Sequence, residues 1–308
     1  MIKKQISNFL KALKLFSLFL IIFTNISYAE SNNEEFQIWL SSYKQKVIKR
    51  GISQKTVNTV FKNAKYLEKV IGYDRKQPEF FEDTITYVTK RANLFRKNKA
   101  RELLKKNYEL FTKVEKEFNV EKEILLALWG IETNFGKHVG KMDIVSSLAT
   151  LSYDKRRSEF FSKQLIVLLN LVDRKLIDPS TLYGSWAGAF GNFQFMPSTI
   201  KNYAIDYDKN SYIELKKIED SFASAANYLN KIGWKKNTPC YTKIKLNNNI
   251  PKKYLNSSAR SIKNKRKVKF FKKYIEDPSK LNVDDNLLSA IITPDKDIIP
   301  GSNTYTPA

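Results

Sequence analysis

Apolar residues recur at helical spacing along most of the chain. A residue on one face of a helix returns every three or four positions, and many segments keep this period. Gly51 and Gly233 follow two such segments and indicate where those helices end. In the N-terminal part the pattern predicts a helix over residues 35–50, a second helix that begins at Ser53, and a long helical stretch between a loop at 73–79 and Phe118. It then predicts a helix capped by Asn119, helices over 144–152, 158–173 and 221–232, and a short helix that begins at Asp178.

Strand-like alternation of apolar and polar residues appears only late in the chain, in residues 241–246 and 287–293. The sequence holds no internal repeat and no Gly/Ser/Pro-rich linker that would separate independent domains. The predicted fold class is therefore mainly α (α+β), with a small β element near the C-terminus.

The composition narrows the chemistry that the chain can perform. Hydrophobic residues make up 42% of the 308 residues, which is enough to bury a sizeable core. Cys240 is the only cysteine and His138 the only histidine. This count excludes disulfide frameworks and zinc sites built from several Cys and His residues. Carboxylate, hydroxyl, amide and amine groups remain for any reaction.

Residues 1–29 have the pattern of a cleavable secretory signal peptide. Four lysines flank the start of the apolar run 15–23, and Ser27-Tyr28-Ala29 supplies the small residues that a signal peptidase requires. The run is shorter than the roughly 20 residues that span a bilayer, which disfavours a retained membrane anchor. No cysteine directly follows the run, so we expect no lipoprotein anchor. The chain is expected to act outside the cytoplasm.

The chain is strongly basic, with 54 Lys and Arg against 31 Asp and Glu and a net charge of +23. This excess favours an anionic partner such as a cell-wall polymer or a membrane face. A nucleic-acid binder is an alternative. The densest basic run, from Lys263 to Lys273, lies in no recognisable nucleic-acid-binding module, and we interpret it as a solvated face.

Six of the ten glycines fall between residues 130 and 191, where the candidate chemistry also lies. Leu125, Leu128 and Glu132 share one helical face, so a carboxylate ends an apolar stripe just before Gly136. Burial of the stripe and the negative end of the helix would both raise the pKa of Glu132. A carboxylic acid that stays protonated can serve as a general acid on a glycosidic oxygen. The alternative is a capping or ion-paired glutamate.

The second glycine-rich segment, residues 184–198, interleaves small residues with aromatic ones. Trp186, Phe193 and Phe195 offer apolar faces of the kind that stack on sugar rings, and Gln194 offers an amide for a hydroxyl or acetamido group. The alternative is a buried turn whose aromatic rings belong to the core. Together with Glu132, the segment is consistent with a saccharide-binding groove.

These segments carry a resemblance to a known family. The matching residues run from Trp129 to Gly136, from Leu148 to Asp154 with Arg156 and Arg157, and from Gly184 to Ser198, with further matches at 74–79 and 226–234. The chain resembles the lytic murein transglycosylase B family over roughly residues 36–240. The resemblance implies a lysozyme-like helical catalytic domain. The organisation we expect is a signal peptide at 1–29, an α-helical N-terminal lobe at 30–118, a catalytic core at 119–240 and a basic C-terminal segment at 241–308.

The resemblance also implies an activity in the periplasm. Members of the family cleave the β-1,4 bond between N-acetylmuramic acid and N-acetylglucosamine in peptidoglycan. Glu132 matches the catalytic glutamate, which would protonate the leaving oxygen and then deprotonate the muramoyl 6-hydroxyl to close a 1,6-anhydro ring. The two central segments hold no second carboxylate, as in substrate-assisted glycosidases. Groove positions of the family match Ser185, Gln194, Phe195 and Tyr228, and Arg157 is a further substrate-binding candidate.

Two features of the family are altered in this chain. Asp206, Asp208 and Asp220 could supply the oxygens of the family's calcium loop, but Ser211 replaces the usual turn glycine and Lys209 adds an opposing charge. The alternative is a surface loop without metal, and we expect no required cofactor. The family's closing Tyr-Asn-x-Ser motif is absent before Ala308.

That departure leaves the function open among three classes. A lytic transglycosylase is the leading hypothesis. A catalytically impaired peptidoglycan-binding homologue is the first alternative, and a basic nucleic-acid or membrane-surface binder is the second. The expected partners are peptidoglycan glycan strands. We expect no nucleic-acid partner, no stable membrane anchor after signal cleavage, and a monomer.

Overall fold

The structure is a computed structural model that describes residues 33–76, 83–247, 249–257, 259, 262–293 and 303–307. The signal peptide predicted at residues 1–29 lies outside the described residues. Helices dominate these residues, and short strands gather in the C-terminal part, so the predicted fold class is confirmed. Among the described residues, no helix is both long enough and apolar enough to cross a membrane.

Several helices begin at a polar side chain that caps the free backbone N–H groups of the first turn. Ser53 Oγ accepts from the N–H of Thr56, and Asp143 Oδ1 accepts from the N–H of Ser146 at 2.6 Å. The helices are α1 (33–49), α2 (Gln54–Val60), α3 (Glu68–Lys76), α4 (Thr84–Arg91), α5 (Leu94–Lys106), α6 (Tyr108–Phe118), α7 (Lys122–Thr133), α8 (Ile144–Tyr153), α9 (Ser158–Asp173), α10 (Pro197–Tyr203), α11 (Ile218–Lys231) and α12 (Val268–Phe271).

The strands are short and form three small sheets. β1 pairs with β2, β5 pairs with β6, and a four-stranded sheet has the order β3-β8-β7-β4. In that sheet β4 and β7 run parallel, and the other neighbours are antiparallel. The strands are β1 (Met142–Asp143), β2 (Tyr183–Gly184), β3 (Tyr241–Lys245), β4 (Leu255–Asn256), β5 (Arg266–Lys267), β6 (Leu288–Ser289), β7 (Ile291–Ile292) and β8 (Asn303–Pro307).

Two compact units alternate along the sequence. The first unit consists of Met1–Gln77 and Leu128–Tyr228, and the second of Pro78–Ala127 and Leu229–Ala308. Two of the three junctions fall inside α7 and α11, so each of these helices contributes to both units. The domain boundaries expected at residues 118 and 240 stay a prediction.

The core of the first unit is built around α8. Every residue from Ile144 to Ser152 is buried. Leu165, Leu168 and Leu169 of α9 and Phe36 of α1 are fully buried as well. Each such side chain contributes about 1.5–3 kcal/mol when removed from water. This apolar packing stabilises the loop that follows α7 and the glycine-rich segment that precedes α10.

The second unit has its own core beneath the four-stranded sheet. Strand β3 confirms the alternation predicted at 241–246, whereas the segment 287–293 forms two short strands instead of one. The buried cluster consists of Ile244, Leu246, Tyr254, Phe271, Ile275 and Ile291.

The long helical stretch predicted before Phe118 is helical, but it is divided into the three helices α4, α5 and α6 at breaks that were not predicted. Asp83 caps α4 and Asn93 caps α5, each accepting from the backbone N–H three residues later. Helix α5 has no buried residue, so no apolar period marks its ends. In this stretch Val114 is buried, whereas Leu103, Leu104 and Leu110 are half-buried.

Two further local predictions are corrected. Asn119 does not cap α7 but ends α6, where it adopts a left-handed conformation with φ 55° and donates to the carbonyl of Glu115. Residues 73–76 belong to α3 rather than to a loop, and the rest of the predicted loop lies outside the described residues. Asparagine suits both ends of a helix, which explains why its role at 119 was misjudged.

Candidate active site

Glu132 lies in the last turn of α7, one residue before the helix ends. Leu125 on the same helical face is buried and Leu128 is half-buried. The Glu132 side chain itself is exposed to solvent, so the carboxyl group is not enclosed. Surrounding protein still desolvates it and raises its pKa above the usual value, which is the expected direction. Within the described residues the carboxyl makes no ion pair or hydrogen bond, and the alternative of an ion-paired glutamate is not supported.

Thr133 attaches this helix end to the glycine-rich segment. Its hydroxyl donates to the backbone carbonyl of Asn192 at 2.9 Å and accepts from the N–H of Gly136 at 3.1 Å. Thr133 and Asn192 are 1% and 2% exposed, so water does not compete for these bonds. The backbone at Glu132 is therefore held beside the segment that contains Asn192.

Asn192 joins the segment to a third part of the first unit. Its side-chain amide donates to Ser221 Oγ at 2.9 Å and to the carbonyl of Lys216 at 3.2 Å. Its backbone N–H donates to the carbonyl of Leu215 at 2.7 Å. A buried amide whose donors are satisfied in this way fixes local geometry. Neither Thr133 nor Asn192 was identified from the sequence, although both are polar residues within apolar, glycine-rich stretches.

Residues 190–195 form a tight turn that presents Gln194. Phe190 and Phe195 exchange two backbone hydrogen bonds of 3.1 and 3.0 Å across the turn. Gln194 has a φ of 50°, a left-handed conformation that is uncommon for a residue with a side chain. Its amide nitrogen donates to the carbonyls of Gly191 at 3.0 Å and Val139 at 3.2 Å. The second bond reaches the segment that follows α7, the helix that carries Glu132.

Glycines allow the loop after α7 and the segment at 184–191 to approach closely. A side chain at Gly140, where φ is 84°, would collide with the carbonyl of Gly184. At Gly191, with φ 80°, a side chain would meet the backbone of Leu215. Ser185 belongs to the same contact region: its hydroxyl accepts from the N–H of Ala189 at 3.0 Å. The structure thus places Ser185, Gln194 and Glu132 on segments that are hydrogen-bonded or packed together.

Phe195 and Tyr228 lie against each other. Their ring centroids are 5.7 Å apart in an edge-to-face arrangement. Phe193 and Phe195 are each only 8% exposed, and Phe193 packs on Phe222 at 5.2 Å. These two rings belong mainly to the core, as the alternative to a stacking surface anticipated. Trp186 is half-buried and is the ring of the segment with more surface open to solvent.

Arg157 is part of a charge cluster around Asp74. The Asp74 carboxylate is 1% exposed and accepts from Arg157 and from Arg156 Nε, the latter at 2.6 Å. Two guanidinium groups share one carboxylate, which leaves a net positive charge at this place. Burial lowers the pKa of Arg157, and its guanidinium also lies 4.9 Å from the ring centre of Phe161. The partnership with Asp74 was not predicted, because it joins residues 83 positions apart.

Three aspartates of the predicted calcium loop come together. One carboxylate oxygen from each of Asp206, Asp208 and Asp220 lies within 4.8 Å of the others. Asp220 is fully buried and accepts from the N–H groups of Tyr207 and Glu214 at 2.8 and 2.7 Å. Desolvation raises its pKa despite these bonds. Ser211 adopts a φ of 77° and so makes the turn without the usual glycine. An all-oxygen set of this kind fits the chemistry of Ca²⁺.

The comparison with protein families agrees with this arrangement. The model of the family described as "Transglycosylase SLT domain" matches residues 35–298, which is most of the chain. The chain belongs to this family. The match includes Glu132, the glycine-rich segment and the aspartate loop.

Individual relatives of the SLT transglycosylase domain family resemble the chain to different extents. Membrane-bound lytic murein transglycosylase B of Escherichia coli K12 is 42% identical over 120 residues, which cover 39% of this chain. The match spans only 33% of that relative's length. The crystal structure of SltB3 from Pseudomonas aeruginosa, in complex with NAG-NAM-pentapeptide, matches with a TM-score of 0.79 and 24% identity, over 88% of this chain and 72% of that one.

A second solved structure is that of the lytic transglycosylase Slt35 of Escherichia coli in complex with calcium. It matches with a TM-score of 0.70 and 25% identity, over 90% of this chain and 84% of that chain. The lysozyme-like helical fold expected from the sequence is thus confirmed by the comparison of structures. The roles of Glu132, Ser185, Gln194, Phe195, Tyr228 and Arg157 stay predictions.

Proposed function

We propose that the protein is a lytic transglycosylase that cleaves the β-1,4 bond between N-acetylmuramic acid and N-acetylglucosamine in peptidoglycan. The observation that supports this best is the state of Glu132. Its carboxyl has no charged partner among the described residues, and desolvation raises its pKa. The helix that carries it is hydrogen-bonded to the turn 190–195, which we propose to bind the saccharide. Membership of the SLT transglycosylase domain family supports the same reaction class.

In the proposed first step, Glu132 acts as a general acid. The protonated carboxyl donates its proton to the glycosidic oxygen as the bond to C1 of the muramoyl residue breaks. A raised pKa keeps a larger fraction of the carboxyl in the form that donates. Because the segments at 127–136 and 184–198 contain no other carboxylate, the acetamido group of the substrate is the proposed stabiliser of the cationic carbon.

In the proposed second step, the same residue acts as a base. The Glu132 carboxylate takes the proton of the muramoyl 6-hydroxyl, and that oxygen bonds to C1 to close a 1,6-anhydro ring. The proton lost in the first step is regained, so Glu132 returns to its starting state and no water is consumed. One residue thus performs both transfers, as microscopic reversibility of acid and base roles allows.

Neighbouring side chains are proposed to orient the glycan strand. Gln194 and Ser185 would hydrogen-bond sugar hydroxyl or acetamido groups, and Tyr228, packed on Phe195, would line the groove. Arg157 would attract the carboxylate of a lactyl or peptide group, since the Asp74 cluster has a positive excess. The place of action follows from the substrate: peptidoglycan lies outside the cytoplasm, which agrees with the proposed periplasmic location. We propose that the protein works as a monomer.

Digestion of purified murein sacculi tests the proposal. The full chain is incubated with sacculi, and the released muropeptides are analysed by mass spectrometry. We expect products that are one water lighter than hydrolysis products and that resist reduction by borohydride. Glu132→Gln should abolish them, whereas Glu123→Gln, at an exposed position in the first turn of the same helix, should not. Reducing ends in the wild-type digest would point to a hydrolase instead, and binding without release to an impaired homologue.

We also propose that Asp206, Asp208 and Asp220 hold a structural Ca²⁺ ion. The support is the convergence of three carboxylates within 4.8 Å, one of them buried, at a place where their mutual repulsion calls for a cation. The calcium complex of Slt35 is consistent with this proposal. When bound, the ion would neutralise these charges and stabilise the loop between α10 and α11. It takes no part in the proposed bond cleavage.

A further inference from the structure

The basic run at 263–273 forms an organised surface of the second unit. It folds into β5, α12 and the turn Lys272–Tyr274. A second basic segment joins it: the side-chain amide of Asn264 donates to the carbonyl of Lys253 at 2.6 Å, and the N–H of Lys263 donates to Asn256 Oδ1 at 2.8 Å. The sequence separates the two segments by about ten residues, and these bonds bring them together.

We call the exposed cations of these two segments the basic patch. No acidic residue occurs between positions 252 and 273. Within the described residues no member of the patch forms an ion pair, whereas the half-buried neighbour Lys272 pairs with Asp285 at 2.5 Å. Uncompensated like charges on one surface favour an anionic counterpart. The basic patch consists of Lys252, Lys253, Lys263, Lys265, Arg266, Lys267, Lys269 and Lys273.

Aromatic rings lie at the centre of the basic patch and hold part of it in place. Arg266 lies 5.7 Å from the ring centre of Tyr254 and 5.9 Å from that of Phe270. Lys273 lies 4.9 Å from the ring centres of both Phe270 and Tyr274, and Lys253 lies 5.3 Å from that of Tyr254. Such cation–π contacts restrict the side chains to one surface. The arrangement is therefore more specific than a solvated face that reflects lysine-rich composition alone.

The shape of the patch distinguishes between anionic partners. Its cations project from a two-residue strand, a four-residue helix and short turns. A nucleic-acid groove is read by a longer helix or a β-ribbon, which the patch does not offer. Clustered Lys and Arg on short elements instead match the headgroup region of an anionic bilayer, whose phosphates are accessible to cations without a groove.

We propose that the basic patch binds the surface of an anionic phospholipid bilayer through its phosphate headgroups. The contact is peripheral and electrostatic, and it does not depend on the catalytic proposal for Glu132. Because each Lys or Arg near such a surface contributes separately, affinity should fall stepwise as charges are removed and should weaken with added salt.

Vesicle sedimentation tests this proposal. The full chain is mixed with vesicles of phosphatidylglycerol and phosphatidylcholine, and neutral phosphatidylcholine vesicles measure binding that does not require the headgroup charge. A triple variant, Lys253→Gln, Arg266→Gln and Lys273→Gln, should lower the charge-dependent partition coefficient about 100-fold. A matched triple variant at exposed lysines of α5, Lys97→Gln, Lys105→Gln and Lys106→Gln, should change it by less than about threefold.

A second patch variant separates loss of binding from loss of folding. Lys265→Gln, Lys267→Gln and Lys269→Gln leave the cation–π contacts intact, and we expect a similar loss of binding with an unchanged melting temperature. Equal losses in the patch and α5 variants would overturn the proposal in favour of net charge. Unchanged vesicle binding together with reduced binding to duplex DNA or to sacculi would also overturn it and assign the patch to that other polymer.

Discussion

The hydroxyl of Thr133 donates a 2.9 Å hydrogen bond to the backbone carbonyl of Asn192. Thr133 follows Glu132 directly, and Asn192 lies in the turn 190–195. This bond, together with that of Gln194 to Val139, therefore holds the proposed acid/base beside the turn that presents Gln194. Because both partners are buried, the bond is also a point where stability and activity should change together.

Removal of the Thr133 hydroxyl should loosen the site. Thr133→Val keeps the side-chain volume but leaves the Asn192 carbonyl and the Gly136 N–H without this partner. We expect a loss of roughly 1–3 kcal/mol in the free energy of unfolding, measured by urea denaturation, and a reduced rate of muropeptide release. Thr133→Ser restores the hydroxyl and should retain most of both. Equal behaviour of the two variants would show that the hydroxyl does not matter.

Neutralisation of Glu132 should stabilise the protein at neutral pH while it removes activity. Desolvation by the surrounding protein raises the pKa of Glu132 in the folded state, so the folded protein binds its proton more tightly than the unfolded chain. Its contribution to stability is present below the unfolded pKa and is lost as pH rises through the folded one. Glu132→Gln avoids this loss. Its melting temperature should exceed that of wild type at neutral pH and match it in acid, with Glu123→Gln as the control.

The rate of the proposed reaction should follow the protonated form of Glu132. As pH rises through the raised pKa of Glu132, fewer molecules hold the proton that the first step donates. We expect kcat/KM for a soluble glycan substrate to decline on the alkaline side, with a midpoint above the ordinary glutamate pKa. A profile whose midpoint stays at the ordinary value would argue against a desolvated acid. The measurement requires thermal melts at each pH, so that unfolding is not mistaken for titration.

Two glycine substitutions should have opposite effects. Gly140→Ala places a methyl group against the Gly184 carbonyl at a positive φ, and we expect a loss of roughly 1–3 kcal/mol together with lower activity. Gly72 is an exposed position within α3, and no atom lies within 4 Å of the methyl group that Gly72→Ala would add. This variant should gain about 0.5–1 kcal/mol, because alanine favours the helix. Similar losses in both variants would contradict the close approach at Gly140.

Calcium should raise the melting temperature of the wild-type chain. The ion binds only the folded arrangement of Asp206, Asp208 and Asp220, so its binding energy adds to stability. Asp208→Asn, at an exposed ligand, should weaken the shift without disturbing the core. Asp178→Asn, an acidic cap outside the cluster, serves as the control. No shift in excess Ca²⁺, measured by calorimetry and by thermal melting, would refute the metal proposal.

The sequence predicted the helices whose apolar faces are buried. Helix α9 runs from Ser158 to Asp173 as its periodicity indicates, and α8 agrees to within one residue. Prediction failed in residues 84–118, where α5 buries nothing and its limits depend on the capping side chains Asp83 and Asn93. In an exposed helix the apolar period carries little information, so local hydrogen bonds decide where helices begin and end.

The sequence predicted which side chains carry the chemistry of the candidate site, but not the hydrogen bonds that hold them in place. Glu132, Gln194 and Tyr228 follow from residue type and resemblance. The bonds of Asn192 to Ser221 and of Asp74 to Arg156 join positions 29 and 82 apart, and no local pattern encodes such pairs. The burial of the apolar stripe does not extend to Glu132, whose side chain is exposed although Leu125 on the same helical face is buried.

Asn192 has one further consequence for how this protein tolerates change. Its amide and backbone connect the end of α7, the turn residues 215–216 and the start of α11 through one network of hydrogen bonds. Inactivating substitutions collected at random should therefore be scattered along the primary structure yet converge in space on this asparagine. A substitution in any one of these three segments constrains the residues allowed in the other two, so we expect the three segments to vary together among related sequences.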